Sequence, residues 1–199
     1  MYRETAHIVL ASASPRRREL LSRTGIAFQV SPARMEEPPA EEGEAAPDYV
    51  GRMARLKGLE VAARFPRSVV LAADTAVVAP DGEVMGKPRD AGDALRMLQQ
   101  LAGNDHQVVT GCALVSPNRP PHAFTVATTV RFAPVPAQIL QAYAASEEPR
   151  DKAGAYAIQG EAAALVESIS GSWTNVVGLP LAEVMEVLMA WGVVACESS

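Results

Sequence analysis

Cysteine is scarce: the chain has two in 199 residues, Cys112 inside an apolar run and Cys196 near the end. Neither has the spacing of a disulfide pair or of a metal-ligand motif, which excludes a disulfide-stapled scaffold and suits a reducing compartment. The three histidines are scattered and form no cluster. No basic segment leads into a long apolar run at the start, and no apolar stretch approaches the roughly 20 residues that span a bilayer. Excess positive charge is lacking too, since 18 Lys and Arg against 23 Asp and Glu leave a net charge of −5. A sequence-independent nucleic-acid binder is normally basic, so any polyanion must be met in a local pocket. The expectation is a soluble cytoplasmic protein with neither a membrane nor a nucleic-acid partner.

What is present suits a folded globule: 48% of residues are hydrophobic and 21% charged, and the length fits one domain, or two lobes sharing one sheet. Leu10 to Leu21 reads LASASPRRRELL, a strand running into a helix. His7 to Ala11 is largely apolar, Pro15 suits a first helical turn, and Arg16 to Thr24 reads as helix up to Gly25. The Ser12 to Ser14 loop then sits at a helix N-terminus, where unbonded N–H groups, the positive dipole end and arginine side chains all favour an anion. A plainer alternative stays open, in which Ser14 only caps the helix and Arg16 to Arg18 are solvated surface charge.

Pro32 to Pro47 is acidic and proline-rich and is expected as an exposed loop. From Pro47 to Arg64 the spacing predicts a helix with Val50, Met53, Ala54 and Val61 on one face and Lys57 in the middle of it. That lysine must snorkel to water or meet an anion. Ser68 to Val78, SVVLAADTAVV, reads as a buried central strand interrupted by Asp74 and Thr75. Asp81-Gly82 signals a hairpin into a short strand, Glu83 to Met85, which delivers Gly86-Lys87-Pro88 near the strand carrying Asp74. Asp90 caps a helix through Leu101, with Leu95, Leu98 and Leu101 facing inward and Gly103 ending it. His106 to Val115 and Phe124 to Phe132 read as strands joined by a turn at Pro117 to Pro121, together making a second lobe's sheet. Then come a short helix over Pro136 to Ser146, a loop over Arg150 to Gly160, a strand over Ala162 to Ile169, an exposed stretch Trp173 to Val177, and a closing helix, Leu181 to Trp191. The fold class is α/β: a mixed, twisted central sheet flanked by helices, in two lobes that form a cleft.

Asp74 is the most telling acid. A carboxylate in a run of Val, Leu and Ala is costly if buried alone, so it should be paired, bind metal or open on a cleft; a structural aspartate bonded to backbone is the bland alternative. Phosphoanhydride hydrolysis needs charge neutralisation, a positioned water and usually Mg²⁺ held through one or two carboxylates. Arg16, Arg17, Lys57 and Lys87 can supply the first, Asp74 the base, and Glu36 or Glu37 a hold on metal. A carboxylate drawn toward a metal is a poor base, so one group cannot freely do both.

The ordered blocks SASPRRRELL, Glu36-Glu37, AxxKG ending at Gly58, LAADTAVV, GKPRDAGDALRML, DKAGAYAIQG and GSWTNVVGLPL resemble the Maf family of nucleoside triphosphate pyrophosphatases, from Ile8 to Leu188. The resemblance implies a nucleotide-binding cleft and cleavage between the α and β phosphates, giving a monophosphate and pyrophosphate with a divalent cation, Mg or Mn. It further implies a house-cleaning role against modified or surplus nucleotides, in a family historically linked to septum formation. It implies Asp74 as the base, Ser12, Arg16, Arg17, Glu37, Lys57, Lys87 and Gln159 as substrate contacts, and Glu37 with Asp74 as metal ligands. Arg16, Thr75 and Gln159 resemble the branch that prefers dTTP and UTP, with 7-methyl-GTP specificity or a non-catalytic, nucleotide-sensing septum regulator as the rivals. Family members are commonly homodimers, which the resemblance extends to this chain as an expectation. Gly58 stands where alanine is commoner and is expected to loosen its helix, since mid-helix glycine costs about 1 kcal/mol.

Overall fold

The Val-rich run becomes the strand that carries the central acid. In the computed structural model, which describes residues 2–196, the strands are β1 (Tyr2–Glu4), β2 (Ile8–Leu10), β3 (Gln29–Val30), β4 (Val69–Val78), β5 (Val84–Met85), β6 (Asp105–Ser116), β7 (Arg119–Phe132), β8 (Val166–Ser170) and β9 (Val194–Cys196). The helices are α1 (Pro15–Ser22), α2 (Ala46–Arg64), α3 (Ala91–Leu101), α4 (Ala137–Ala144), α5 (Trp173–Val177) and α6 (Leu181–Ala190). One sheet of seven strands has the order β3-β2-β4-β6-β7-β8, with β5 paired to β4 off that path. It is mixed, as expected: β2 is parallel to β3 and β4, whereas β5 is antiparallel to β4 and β8 to β7. β1 and β9 pair separately as an antiparallel ribbon. Among the described residues no helix is long and apolar enough to cross a membrane.

The described residues divide into two compact units: those up to Asp74, Thr110–Val126 and those from Gly178 on make the first, Thr75–Val109 and Ala127–Val177 the second. In the first, Val50, Met53, Ala54 and Val61 of α2 are fully buried, so the predicted face is the observed one. The helix backbone comes close to β6, because a Cβ on Gly111 would lie 2.3 Å from the Val50 carbonyl oxygen; only glycine permits that approach. Gly58 belongs to the same contact, where an added Cβ would meet Val115 Cγ2 at 3.2 Å and Ala72 Cβ at 3.5 Å. Beside its expected cost in helix propensity, Gly58 thus allows α2 a close approach to the sheet.

In the second unit Asp90 caps α3 by accepting the Asp93 N–H at 2.8 Å. Leu98 and Leu101 are fully buried, while Leu95 packs only partly against the core. Phe132, Tyr156 and His106 stack edge to face in the same core, with His106 Nε2 2.8 Å from the Tyr156 hydroxyl.

Other expectations are corrected. β6 and β7 are not a separate sheet but continue the one ladder, each contributing to both units. The turn between them is only Pro117-Asn118, and Pro120 and Pro121 lie within β7. Proline is tolerated there because β8 pairs with β7 only from Thr129 to Phe132, leaving the proline end as sheet edge. The strand expected from Ala162 starts at Val166, after a 3-10 turn over Glu161–Leu165, since an alanine triplet has little preference for a pleated surface. The Trp173–Val177 stretch is helix α5, and only partly exposed: Asn175 is fully buried, its amide donating to the Val108 carbonyl and to Thr128 Oγ1 at 3.0 Å each.

Candidate active site

The strand β2 delivers the chain into the loop that starts α1. Ser14 is the N-cap, accepting the Arg17 N–H at 3.4 Å, and buried Ser12 accepts the Ser14 N–H at 3.2 Å. Pro15 occupies the first turn, so the loop is the helix entrance that the sequence predicts. Arg17 turns inward. Its Nε donates to the Gly178 carbonyl at 2.7 Å, and one terminal nitrogen donates to the Ala73 carbonyl at 2.9 Å and to Ser12 Oγ at 3.3 Å. Burial pulls its pKa down, opposed by the charge of Asp74. The guanidinium thus ties the α1 entrance to the residue preceding Asp74. Arg16 is half-buried one position earlier.

β4 is buried from Val69 to Ala73 and opens at Asp74 and Thr75, whose side chains point to opposite faces of the sheet. Lys57, carried on the buried face of α2, neither snorkels nor stands alone: its ammonium donates to Asp74 Oδ1 at 2.7 Å and lies 2.8 Å from Glu37 Oε1. Lys57 and Asp74 side chains are 13% and 15% exposed, Glu37 55%, so the pair is sheltered and the third member reaches it from the surface. Burial by itself would pull the Lys57 pKa down, but the charge and hydrogen bond of Asp74, joined by Glu37, outweigh it and hold the ammonium above the ordinary lysine value. The register of the acidic loop is thereby resolved, with Glu37 rather than Glu36 facing the lysine. That loop is pinned farther along, where Arg52 Nε donates to Glu44 Oε1 at 2.7 Å and holds the Glu44 carboxyl at about 2.

Two carboxylates converging on one positive charge are hard oxygen donors of the kind that hold Mg²⁺ or Mn²⁺ together with water and phosphate oxygens, so the residues fit the implied cation. Among the described residues no three of His, Cys, Asp and Glu gather as a complete metal-holding group. The sequence missed Tyr49, whose phenol pKa is pushed up by burial and by the nearby charges of Asp74 and Glu37. Tyr49, Met53 and Lys57 recur at four-residue spacing on α2, a signal that could have found it.

The remaining candidates belong to the second unit. Thr75 follows Asp74 on β4, and Lys87 is exposed in the segment after β5. The Gly86 carbonyl accepts the Gly154 N–H at 3.1 Å. Gly154 has a φ of +67°, and a Cβ there would lie 2.9 Å from Val77 Cγ1, so the DKAGAY segment is seated against β4 only because this residue is glycine. Gln159 is exposed at the tip of the loop that follows.

Mixed sheet and flanking helices define a fold class shared with a HAM1 protein from Coxiella burnetii, which matches at a TM-score of 0.52 and 17% identity over 94% of this chain and all of that one. The family described as Maf-like protein matches residues 7–191. A dTTP/UTP pyrophosphatase of Myxococcus xanthus is 52% identical over 91% of this chain and 90% of its own length, and one of Geobacter metallireducens is 50% identical over 95% and 98%. The chain belongs to the Maf family.

Proposed function

We propose that this chain hydrolyses dTTP and UTP to the nucleoside monophosphate and pyrophosphate. The observation that carries the reading is the sheltered Asp74–Lys57–Glu37 cluster, tied through Arg17 to the helix entrance at Ser12, in a chain about half identical to dTTP/UTP pyrophosphatases over nearly its whole length. Ser12, the N–H groups of the α1 entrance and Arg16 bind phosphate oxygens. Lys57 fixes Asp74 by holding Oδ1, and Asp74 Oδ2 takes the proton from the water that attacks the innermost phosphorus. A divalent cation held by Glu37 and Asp74 would neutralise phosphoryl charge. Lys87, Thr75 and Gln159 enter as substrate-binding residues on the family resemblance. The Gln159 amide can both donate and accept, which suits the carbonyl and ring N–H that thymine and uracil present side by side and cytosine does not. The experiment is a panel of dTTP, UTP, CTP and 7-methyl-GTP with Mg²⁺ or Mn²⁺ and product identification. Monophosphate plus pyrophosphate, fastest from dTTP and UTP, is expected; tight binding with no pyrophosphate release would leave a nucleotide sensor instead.

A further inference from the structure

Glu148 has no part in the chemistry above, yet its carboxylate turns back on the loop that carries Gln159. It opens the 3-10 turn Glu148–Asp151 after α4. Its Oε1 accepts the Tyr143 hydroxyl at 2.8 Å and lies 3.5 Å from the Ala162 nitrogen, and its Oε2 accepts the Glu161 N–H at 3.1 Å. The Tyr143 oxygen in turn accepts the Ala157 N–H at 3.3 Å. One connected relay, Ala157 to Tyr143 to Glu148 to Glu161, therefore grips both ends of the loop, and the Gly160 N–H closes it by donating to the Ala157 carbonyl at 3.0 Å. Gln159 lies between the two grips with its side chain exposed.

Gly160 fits the same construction. Its φ of −107° is open to any residue, so backbone freedom is not what calls for glycine. A Cβ there would sit 2.1 Å from Glu148 Oε2, and it is the tethered carboxylate that leaves no room. Burial, and then the contact with Glu148, push the Tyr143 phenol pKa up, so its hydroxyl keeps the proton it donates. An exposed ion pair would contribute little to loop geometry. A carboxylate taking a phenol and backbone N–H groups together is a fixed mount.

We infer that Glu148, acting through Tyr143 and against Gly160, is a positioning residue that sets the Gln159 side chain for reading the base of a nucleoside triphosphate. The inference rests on the proposed function and deepens it.

A mutant cycle on the full chain tests it, reading the ratio of kcat/KM for dTTP to that for dCTP, which share the sugar, with thermal midpoints as the folding control. Gln159→Ala should lower the preference for dTTP. Glu148→Gln, which keeps the size and loses the charge, should lower it about tenfold, as a small misplacement of a positioned group does. In the Gln159→Ala background the same change should have no further effect. Tyr143→Phe and Gly160→Ala should act in the same direction and carry the test if Glu148→Gln fails to fold. A folded Glu148→Gln enzyme with unchanged preference, or one that loses as much without Gln159 as with it, overturns the inference and leaves the proposed function standing. A wild-type enzyme indifferent to the base, or a Gln159→Ala enzyme as selective as wild type, overturns the base-reading role of Gln159 and the inference with it.

Discussion

Each unit shelters a basic side chain, and the two have opposite fates. Lys57, in the first, faces two carboxylates that outweigh burial and keep it charged. His106, in the second, is 2% exposed and enclosed by the rings of Phe132 and Tyr156. Burial pushes its pKa down to about 4, with Asp105 opposing. Desolvation acts on both; the difference is the partner. A lysine held between two carboxylates keeps its charge in a cluster that carries net negative charge, the kind of perturbed group that gathers at functional sites, whereas a ring kept neutral by burial among aromatic neighbours is packing material.

Neutralising Asp74 should break this contrast most severely. Asp74→Asn keeps the shape but removes the proposed base, and kcat for pyrophosphate release should fall about thousandfold, a barrier increase of about 4 kcal/mol; full turnover with Mg²⁺ present would remove Asp74 from the chemistry. Next in size is the acid response of the second unit. Because the folded pKa of His106 lies near 4 and the ordinary value near 6.5, the unfolded chain takes up a proton that the folded one refuses. Stability should therefore be lost as pH falls from about 6.5 to 4, by about 3 kcal/mol. Urea midpoints across that range should show the slope in the wild type and a flatter profile in His106→Phe. Glu44, held at about 2, loses its stabilising contact with Arg52 only at lower pH, from its ordinary value near 4.5 downward. Lys57→Met makes the first unit's centre resemble the second's by removing its charge, and should lower kcat/KM about hundredfold, equivalent to about 2.7 kcal/mol. Smallest is Gly58→Ala, where the gain in helix propensity of about 1 kcal/mol is partly offset by the 3.2 Å contact with Val115; a net stabilisation below that figure is expected in a urea titration.

Local signals were the legible ones. Ser14 and Pro15 at the α1 entrance, Asp90 at α3, Asp81-Gly82 before β5 and the apolar stripe of α2 each act over a few residues, and each appears where its chemistry requires. What escaped depends on pairing between distant segments. Pro120 and Pro121 read as turn because sequence does not reveal which part of β7 is an edge. Lys57 was visible as an anomaly on an apolar face, but its partners lie 20 residues before it at Glu37 and 17 after it at Asp74. Glu148 left no periodic trace, because its contacts are made by a bent loop rather than by a regular element.

The central claim is that water attacks the phosphorus nearest the nucleoside. Hydrolysis of dTTP in ¹⁸O-labelled water, read by mass spectrometry, tests it directly. The account predicts label in dTMP and unlabelled pyrophosphate. Label in pyrophosphate, or dTDP with labelled phosphate, would contradict it.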